Sequence, residues 1–402
     1  MLKDKSILLG VSGGIAAYKS AELARLFIKE RASVQVVMTV NAQRFITPLT
    51  LQVLTGQPVC TDLFDLQFES QIGHIQLARA AHLAIVAPAT ANVMAKLATG
   101  IADDYLTTVM LATTAPVLVC PAMNVKMYEH PATQRNLETL RGLGYHILEP
   151  ASGALACKEE GLGRLADLPE IVEAARRLLT PHTLLGKRIL VSAGPTWEAL
   201  DPVRFISNPS TGKMGFALAA VAARRGAEVH LVTGPSSLCA PQGIQVQRVT
   251  SAEEMKAAIV ARAAAMDAII MAAAVGDYRP QAVSSLKIKK DEDHLDVTLV
   301  ANPDILAQLG QTKPAHQVLV GFAAETDNLI ANATKKLRNK NLDFIVANDL
   351  YQAGAGFACD TNQVQIITRD GQISELPCLP KEEVAAHILD QVELRLGHMQ
   401  SR

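Results

Sequence analysis

The chain has 402 residues, of which 49% are hydrophobic and 19% charged, and its formal net charge is -1. That length exceeds what one hydrophobic core usually serves, so two domains are expected. The near-neutral charge leaves no broad positive field, which argues against nucleic acid or anionic membrane as partners, and any phosphate site must be local.

The opening MLKDKSILLGVSGGIAAYKS has a short apolar run, but Ser12, Gly13 and Gly14 interrupt it and Lys19 and Glu22 follow. It reads as a strand and a loop, not as a signal peptide. No uncharged apolar stretch reaches the roughly 20 residues needed to span a bilayer. The six cysteines, Cys60, Cys120, Cys157, Cys239, Cys359 and Cys378, are scattered without metal-ligand spacing. They read as reduced cytosolic thiols, so a cytoplasmic location is expected.

SILLGVSGGIAAYKSAELARLFIKERASVQVVMT passes from a continuous apolar run to helical spacing and back, which predicts a buried strand, a glycine turn, an amphipathic helix and a second strand. Further on, His74 in GHIQLA stands just ahead of a helix-like segment that leads into an apolar strand. A histidine there is either a cap or a base. APATANVMAKLATGIADDYLTT and PAMNVKMYEHPATQRNL each end a strand in a polar turn that opens a helix. Thr90, Asn92 and Asn124 at those turns read singly as caps, and together they suit a phosphate or a planar heterocycle.

ARRLLTPHTLLGKR carries a helix end, Pro181 and Gly186, so the boundary is expected near 180–187, dividing the chain into 1–180 and 181–402. KRILVSAGPTWEALDPVRFISNPSTGKMGFALAAVAARRGAEVHLVTG then repeats the first plan with a longer insertion. The expected fold class is α/β, with two Rossmann-like open parallel-sheet domains in one chain.

In each half the glycine loop lies at the carboxyl end of a strand, where an open parallel sheet places its ligand crevice and where anions are favoured. Neither loop is GxGxxG, and the second strands run into VMTVNA and LVTGPS without the acidic residue that holds an adenosine ribose, which disfavours NAD. NPSTGKMG fails as a Walker A loop, because Ser207 and Met214 stand where Gly and Ser or Thr are needed. LKIKKDEDH, taken alone, reads as an exposed hairpin with solvated lysines.

SGGIAAYK, His74 in GHIQLA, APATANVMAKLATGIADD and PAMN with Met127 occur in order over most of 1–178. This half resembles the homo-oligomeric flavin-containing cysteine decarboxylases, with Tyr128 where Trp is common and Lys158 where Gly is common. The resemblance implies FMN, held by Ser12, Gly13, Gly14, Ile15, Thr39, Thr90, Asn92 and Met123. His74 would be the base or proton relay, Asn124 would orient the substrate carboxylate, and Cys157 in a mobile clamp would protonate the enethiolate left after carbon dioxide departs. The chemistry explains these parts. A cysteine amide cannot simply lose its carboxylate, and flavin oxidation of CH2-SH to a thioaldehyde creates the electron sink.

The second half, with ISNPSTGKMG, MAAAVGDYRP, KIKK, ANPDIL, VGFAAET and KKLRNKNLDFIVAND, resembles the phosphopantothenate-cysteine ligases. Fusion of the two is known as a bacterial bifunctional family of coenzyme A biosynthesis, and the order of halves here is the same. That implies ligation of L-cysteine to 4'-phosphopantothenate through an acyl-cytidylate made from CTP, then decarboxylation to 4'-phosphopantetheine. CTP would be bound by Asp277, Lys287, Phe322, Lys336 and Lys340, with Met271, Ala272, Ala273, Pro303, Asp304, Ile305 and Leu306 completing the pocket. Asn208 would position the acyl-cytidylate, and Lys287 would also act in catalysis. Magnesium would accompany CTP, with its ligands unassigned, and the choice of CTP over ATP rests on the resemblance. The assembly implied is a homo-oligomer built from trimers of the flavin domain and dimers of the ligase domain. The rival reading is a flavin-dependent decarboxylase of another cysteine-terminated substrate, with a non-catalytic nucleotide-binding second half.

Overall fold

A computed structural model describes residues 2–64, 73–154, 160–290, 294–325, 328–349 and 359–400. The chain divides into two compact units, Met1–Thr180 and Pro181–Arg402.

The first unit is built on five parallel strands, β1 (Ser6–Val11), β2 (Ser33–Met38), β3 (Leu83–Ala89), β4 (Val117–Pro121) and β5 (His146–Ile147), in the spatial order β2-β1-β3-β4-β5. Strand residues alternate in side, so Ile7, Leu9 and Val11 pack into one apolar cluster with Leu23 and Phe27. Leu8 packs into another, with Val86, Met94 and Leu106. Both faces of β1 are therefore buried, which is why it appears in the sequence as an unbroken apolar run. Each such fully buried side chain contributes about 1.5–3 kcal/mol.

The helices follow the same logic. Ser20, Leu23, Ala24 and Phe27 give α1 (Lys19–Lys29) one buried stripe at helical spacing. Next come α2 (Pro48–Thr55), α3 (Gly73–Ala80) and α4 (Ala91–Thr99), the last stopped by left-handed Gly100. α5 (Tyr105–Ala112) starts in a capping box between Asp104 and Thr107. α6 (Val125–Glu129) and α7 (Pro131–Gly142) precede a two-stranded ribbon, β6 (Ala151–Ala154) with β7 (Glu160–Arg164), and α8 (Leu168–Leu179) closes the unit.

The second unit has an eight-stranded sheet. Its strands are β8 (Arg188–Ala193), β11 (Glu228–Thr233), β12 (Gln245–Arg248), β13 (Ala268–Met271), β16 (Val318–Glu325), β17 (Phe344–Asp349), β19 (Val364–Thr368) and β20 (Ile373–Glu375). The order is β12-β11-β8-β13-β16-β17-β19-β20, parallel through β17 and antiparallel beyond it. The antiparallel edge adds to the open parallel sheet expected. β19 and β20 are joined by a tight turn through left-handed Gly371, and a turn that short can only reverse the chain.

Hairpin β9 (Trp197–Ala199) with β10 (Phe205–Ser207), the pair β14 (Tyr278–Pro280) with β15 (Leu299–Ala301), and the pair β18 (Thr361–Asn362) with β21 (Leu379–Pro380) stand outside the main sheet. The helices are α9 (Lys213–Arg224), α10 (Ala252–Ala263), α11 (Ile305–Thr312), α12 (Leu329–Asn339) and α13 (Lys381–Gln400). Leu190, Ile269, Leu319 and Ile345 from four neighbouring strands share a core with Met255, Ile259 and Leu337 from α10 and α12.

Candidate active sites

In the first unit the chain leaves β1 toward β2 on one side and reaches β3 on the other, so the crevice opens at the carboxyl ends of β1 and β3. Ser12 is fully buried there. Its hydroxyl donates to the Pro88 carbonyl at 2.7 Å and accepts from the Thr90 backbone N–H at 2.9 Å, tying the two strand exits together. Thr39 extends the edge, its N–H donating to the Val11 carbonyl at 3.1 Å. A Cβ on Gly13 would lie 2.4 Å from Asn41 Cβ and 2.7 Å from its carbonyl carbon, so only glycine lets the loops close this tightly.

Thr90 caps α4, accepting from the Val93 N–H at 3.4 Å, and Asn124 caps α6, accepting from the Lys126 N–H at 2.8 Å. The capping role read for each is thus present, at the mouth of the crevice. The Met123 N–H donates to the Gly163 carbonyl at 2.9 Å, which seats β7 against the PAMN turn. Asn92 is exposed on the first turn of α4, and apolar Ile15 is 64% exposed beside the glycines. His74 is the second residue of α3 and half-buried. A helix feeding a parallel strand begins at the edge where that strand ends, so His74 stands at the carboxyl edge with the others. Cys157 lies outside the described residues. Cys120 is fully buried, and burial pushes its thiol pKa far up, which makes it inert.

The second unit repeats the device. The hydroxyl of fully buried Ser192 accepts from the Ala273 N–H at 3.1 Å, linking the exits of β8 and β13 where the strand order reverses. Here the crevice deepens into a cavity of about 450 Å³. Gly215 brings α9 onto β8, because a Cβ at that position would lie 2.5 Å from Ala193 Cβ and 2.9 Å from the Ser192 carbonyl oxygen. Asn208, Met271, Ala272, Ala273, Asp277, Pro303, Asp304, Ile305, Leu306, Phe322, Lys336 and Lys340 all line the cavity, although they come from widely separated segments.

Asn208 is oriented by its amide, which donates to the carbonyls of Ala274 and Val275 at 3.3 and 3.2 Å. Lys340 pairs with Asp304 at 2.8 Å. Burial works against the Asp304 charge, yet the hydrogen bonds from Lys340 and the Ala307 N–H prevail and hold its carboxyl below the usual range. Lys287 is not among the lining residues. It is exposed on a loop tethered at Ile288, whose N–H donates to Asp201 at 3.1 Å and whose carbonyl accepts from Arg204 at 2.9 Å.

Sequence reasoning missed Asn302, Asn348, Asn362, Lys213 and Lys381, which also line the cavity. Lys213 sits inside the quoted NPSTGKMG segment. Lys381 carries no local signal, since only the packing of α13 beside α9 brings it there. Among the described residues no group of three or more His, Cys, Asp or Glu could hold a metal ion, and no helix is long and apolar enough to cross a membrane.

Comparison with known proteins adds a family to this geometry. Residues 1–180 match the Flavoprotein family, and residues 184–395 match the DNA/pantothenate metabolism flavoprotein C-terminal domain. The chain is 48% identical over 396 residues to the coenzyme A biosynthesis bifunctional protein CoaBC of Bacillus subtilis, covering 98% of this chain and 97% of that one. It is 46% identical over 405 residues to the protein of the same name from Escherichia coli K12, covering 100% of both. A crystal structure of the C-terminal domain of a CoaBC protein shares 45% identity, covering 54% of this chain and 99% of that one, with a TM-score of 0.47. The chain belongs to the family of bifunctional coenzyme A biosynthesis proteins that join a flavoprotein domain to a DNA/pantothenate metabolism flavoprotein C-terminal domain.

Proposed function

We propose that the chain is the bifunctional enzyme of coenzyme A biosynthesis, its second unit joining L-cysteine to 4'-phosphopantothenate at the expense of CTP and its first unit decarboxylating the product to 4'-phosphopantetheine. The observation that carries this is identity of 44–48% with bifunctional relatives along nearly the whole chain, which spans both units. The cavity supports the ligase half. Forming an amide from a carboxylate needs nucleotidyl activation, and polyphosphate charge must be opposed as pyrophosphate leaves. Lys336 and Lys340 supply that opposition, and Asn208, held by two backbone carbonyls, presents its remaining hydrogen-bonding atoms to the acyl group. A magnesium ion typically arrives on the nucleotide's phosphates and takes one or two carboxylates. Asp304 is engaged by Lys340, so Asp277 is the lining carboxylate that would meet it.

The crevice of the first unit fits FMN. The Ser12 to Ile15 turn is a short glycine loop of the kind that suits one phosphate, and the second strand ends without the carboxylate that an adenosine ribose requires. Flavin when bound supplies the redox step that makes decarboxylation feasible. The protein's share is to hold it with Ser12, Gly13, Gly14, Ile15, Thr39, Thr90, Asn92 and Met123, to orient the substrate carboxylate with Asn124, and to move protons with His74 and Cys157. Exposed Ile15, Tyr18, Val40, Phe45, Leu49 and Val53 give this unit apolar surface for other copies. In the second unit Trp197 and Phe205 stack 4.1 Å apart on the β9–β10 hairpin, both partly exposed, and serve the same end. Trimeric contacts in the first unit and dimeric contacts in the second complete the proposal.

Purified chain supplied with 4'-phosphopantothenate, L-cysteine and CTP should release pyrophosphate, CMP and carbon dioxide and yield 4'-phosphopantetheine. Its bound cofactor should be acid-released FMN. Amide formation without carbon dioxide, or a protein carrying FAD, would sink the assignment of the first unit.

A further inference from the structure

We propose that the hydroxyl of Thr196 is a positioning group for the amide-forming step of the second unit, holding the peptide that aims Asn208. This rests on reading Asn208 as the residue that positions the acyl-cytidylate. Thr196 is fully buried and is not among the residues that line the cavity, so it acts through others. It lies just ahead of β9, and its neighbour Trp197 pairs with Ser207 at the end of β10.

The Thr196 hydroxyl accepts the Gly276 N–H at 3.0 Å, while the Asn208 amide donates to the Val275 carbonyl at 3.2 Å. That N–H and that carbonyl belong to one trans peptide unit, which is planar and points the two groups in opposite directions. Thr196 therefore grips one edge of the plane and Asn208 the other, and rotation of the plane breaks both bonds. The Asn208 amide also reaches the Ala274 carbonyl at 3.3 Å. The Ser207 hydroxyl donates to the Thr196 carbonyl at 2.8 Å, which ties Thr196 to the residue just before Asn208. The bonds close a ring, from Thr196 to Gly276, from Val275 to Asn208, and from Ser207 back to Thr196. The next peptide is pinned as well, since the Asn302 amide donates to the Gly276 carbonyl at 2.8 Å and the Asn302 N–H to the Asp277 carbonyl at 2.8 Å. Asn208 itself is exposed, and an exposed side chain left to turn samples several rotamers. The ring selects one of them and gives its remaining oxygen a fixed direction.

In the amide-forming step the cysteine nitrogen bonds to the acyl carbon. The bond from that carbon to the phosphate oxygen breaks, the electron pair leaves on CMP, and the amine proton goes to water. Attack needs the reacting atoms aligned and about 3–3.5 Å apart, so a small displacement of the group that orients the acyl-cytidylate slows this step steeply. Activation by CTP relies instead on Lys336 and Lys340, which line the cavity and do not belong to the ring.

The test uses the full, flavin-loaded chain with 4'-phosphopantothenate, CTP and L-cysteine, and follows pyrophosphate and CMP separately over the first turnover. Thr196→Val, which replaces the hydroxyl by a methyl group, should release pyrophosphate near the wild-type rate. Its CMP should appear about 10- to 100-fold more slowly, the loss expected when a buried N–H loses its acceptor, with acyl-cytidylate left on the protein. Thr196→Ser should restore most of the second rate. If Thr196→Val does not fold, Ser207→Ala, at an exposed position, decides by the same split with a smaller delay in CMP. Equal slowing of both products, or no slowing of either, overturns the inference. Asn208→Ala is the reference. A split in Asn208→Ala that is missing from the deciding variant overturns the inference and leaves the reading of Asn208 standing, whereas no split in Asn208→Ala removes that reading and the inference with it. Wild-type protein that releases no pyrophosphate from CTP would remove the ligase reading beneath both.

Discussion

The two crevices share a device and differ in the ligand contacts expected of them. In each, a fully buried serine at the end of the first strand, Ser12 or Ser192, accepts a backbone N–H from the exit of the neighbouring strand. Around Ser12 the expected ligand contacts are hydroxyls, amides and backbone, whereas the cavity beside Ser192 is lined by Lys213, Lys336, Lys340 and Lys381. Strand order fixes where a ligand binds, and the side chains placed there select its chemistry. Hydroxyl and amide contacts suit a cofactor that cycles electrons, and a lysine-lined cavity suits a reaction that expels a polyanion.

The largest expected effect tests whether the first crevice acts alone. His74→Asn should lower decarboxylation by about two to four orders of magnitude, as loss of a general acid–base group typically does. The flavin and the amide-forming activity should remain. If His74 only supports its helix, turnover in the variant will be near normal, and steady-state rates with supplied phosphopantothenoylcysteine distinguish the two. The converse variant, Lys336→Ala, should cut CTP-dependent amide formation by about 10²-fold and spare decarboxylation. Equal loss of both activities in a folded variant would erase the division between the crevices.

A smaller effect probes the shared device. Ser12→Ala leaves the Thr90 N–H without its acceptor and should cost about 1–3 kcal/mol in denaturant unfolding. Ser192→Ala should cost a similar amount through the Ala273 N–H. A null result at both sites would show that the strand exits are held by backbone alone.

The smallest effect is a pH dependence confined to the second crevice. The folded pKa of Lys381 lies below the ordinary 10.5, with burial the main cause and the charge of Lys213 the next. Between the lowered value and 10.5 the unfolded chain binds the extra proton, so stability in denaturant unfolding should rise as pH climbs through that window. Lys213→Met removes one of the two lowering causes and should narrow the window.

Much of this is legible in the sequence. β1, β3 and β8 are buried on both faces, so they stand out as apolar runs, and the glycine and polar turns that end them mark the crevices. The cavity lining around Met271 and Pro303 is implied by the resemblance to the ligase family, and those residues do line the cavity. What stayed hidden depends on packing between distant segments. Lys381 meets Lys213 only because α13 lies against α9, and a lysine at a helix start looks in sequence like any solvated lysine. The edge pair β19 and β20 was missed for a related reason, since a three-residue strand such as β20 is too short to show a period.

The rims of the eight-stranded sheet decide whether it can grow. Exposed backbone at the rim of a sheet invites another strand, and natural proteins blunt it with short, polar rim strands. β20 is three residues and includes Ser374 and Glu375, while the opposite rim, β12, is four residues with Gln245, Gln247 and Arg248. The eight-stranded sheet is guarded at both ends against growth by strand addition. Strand addition at either rim, a contact that can repeat without limit, is thereby disfavoured, and the stacked Trp197 and Phe205 lie outside that sheet on a hairpin of their own.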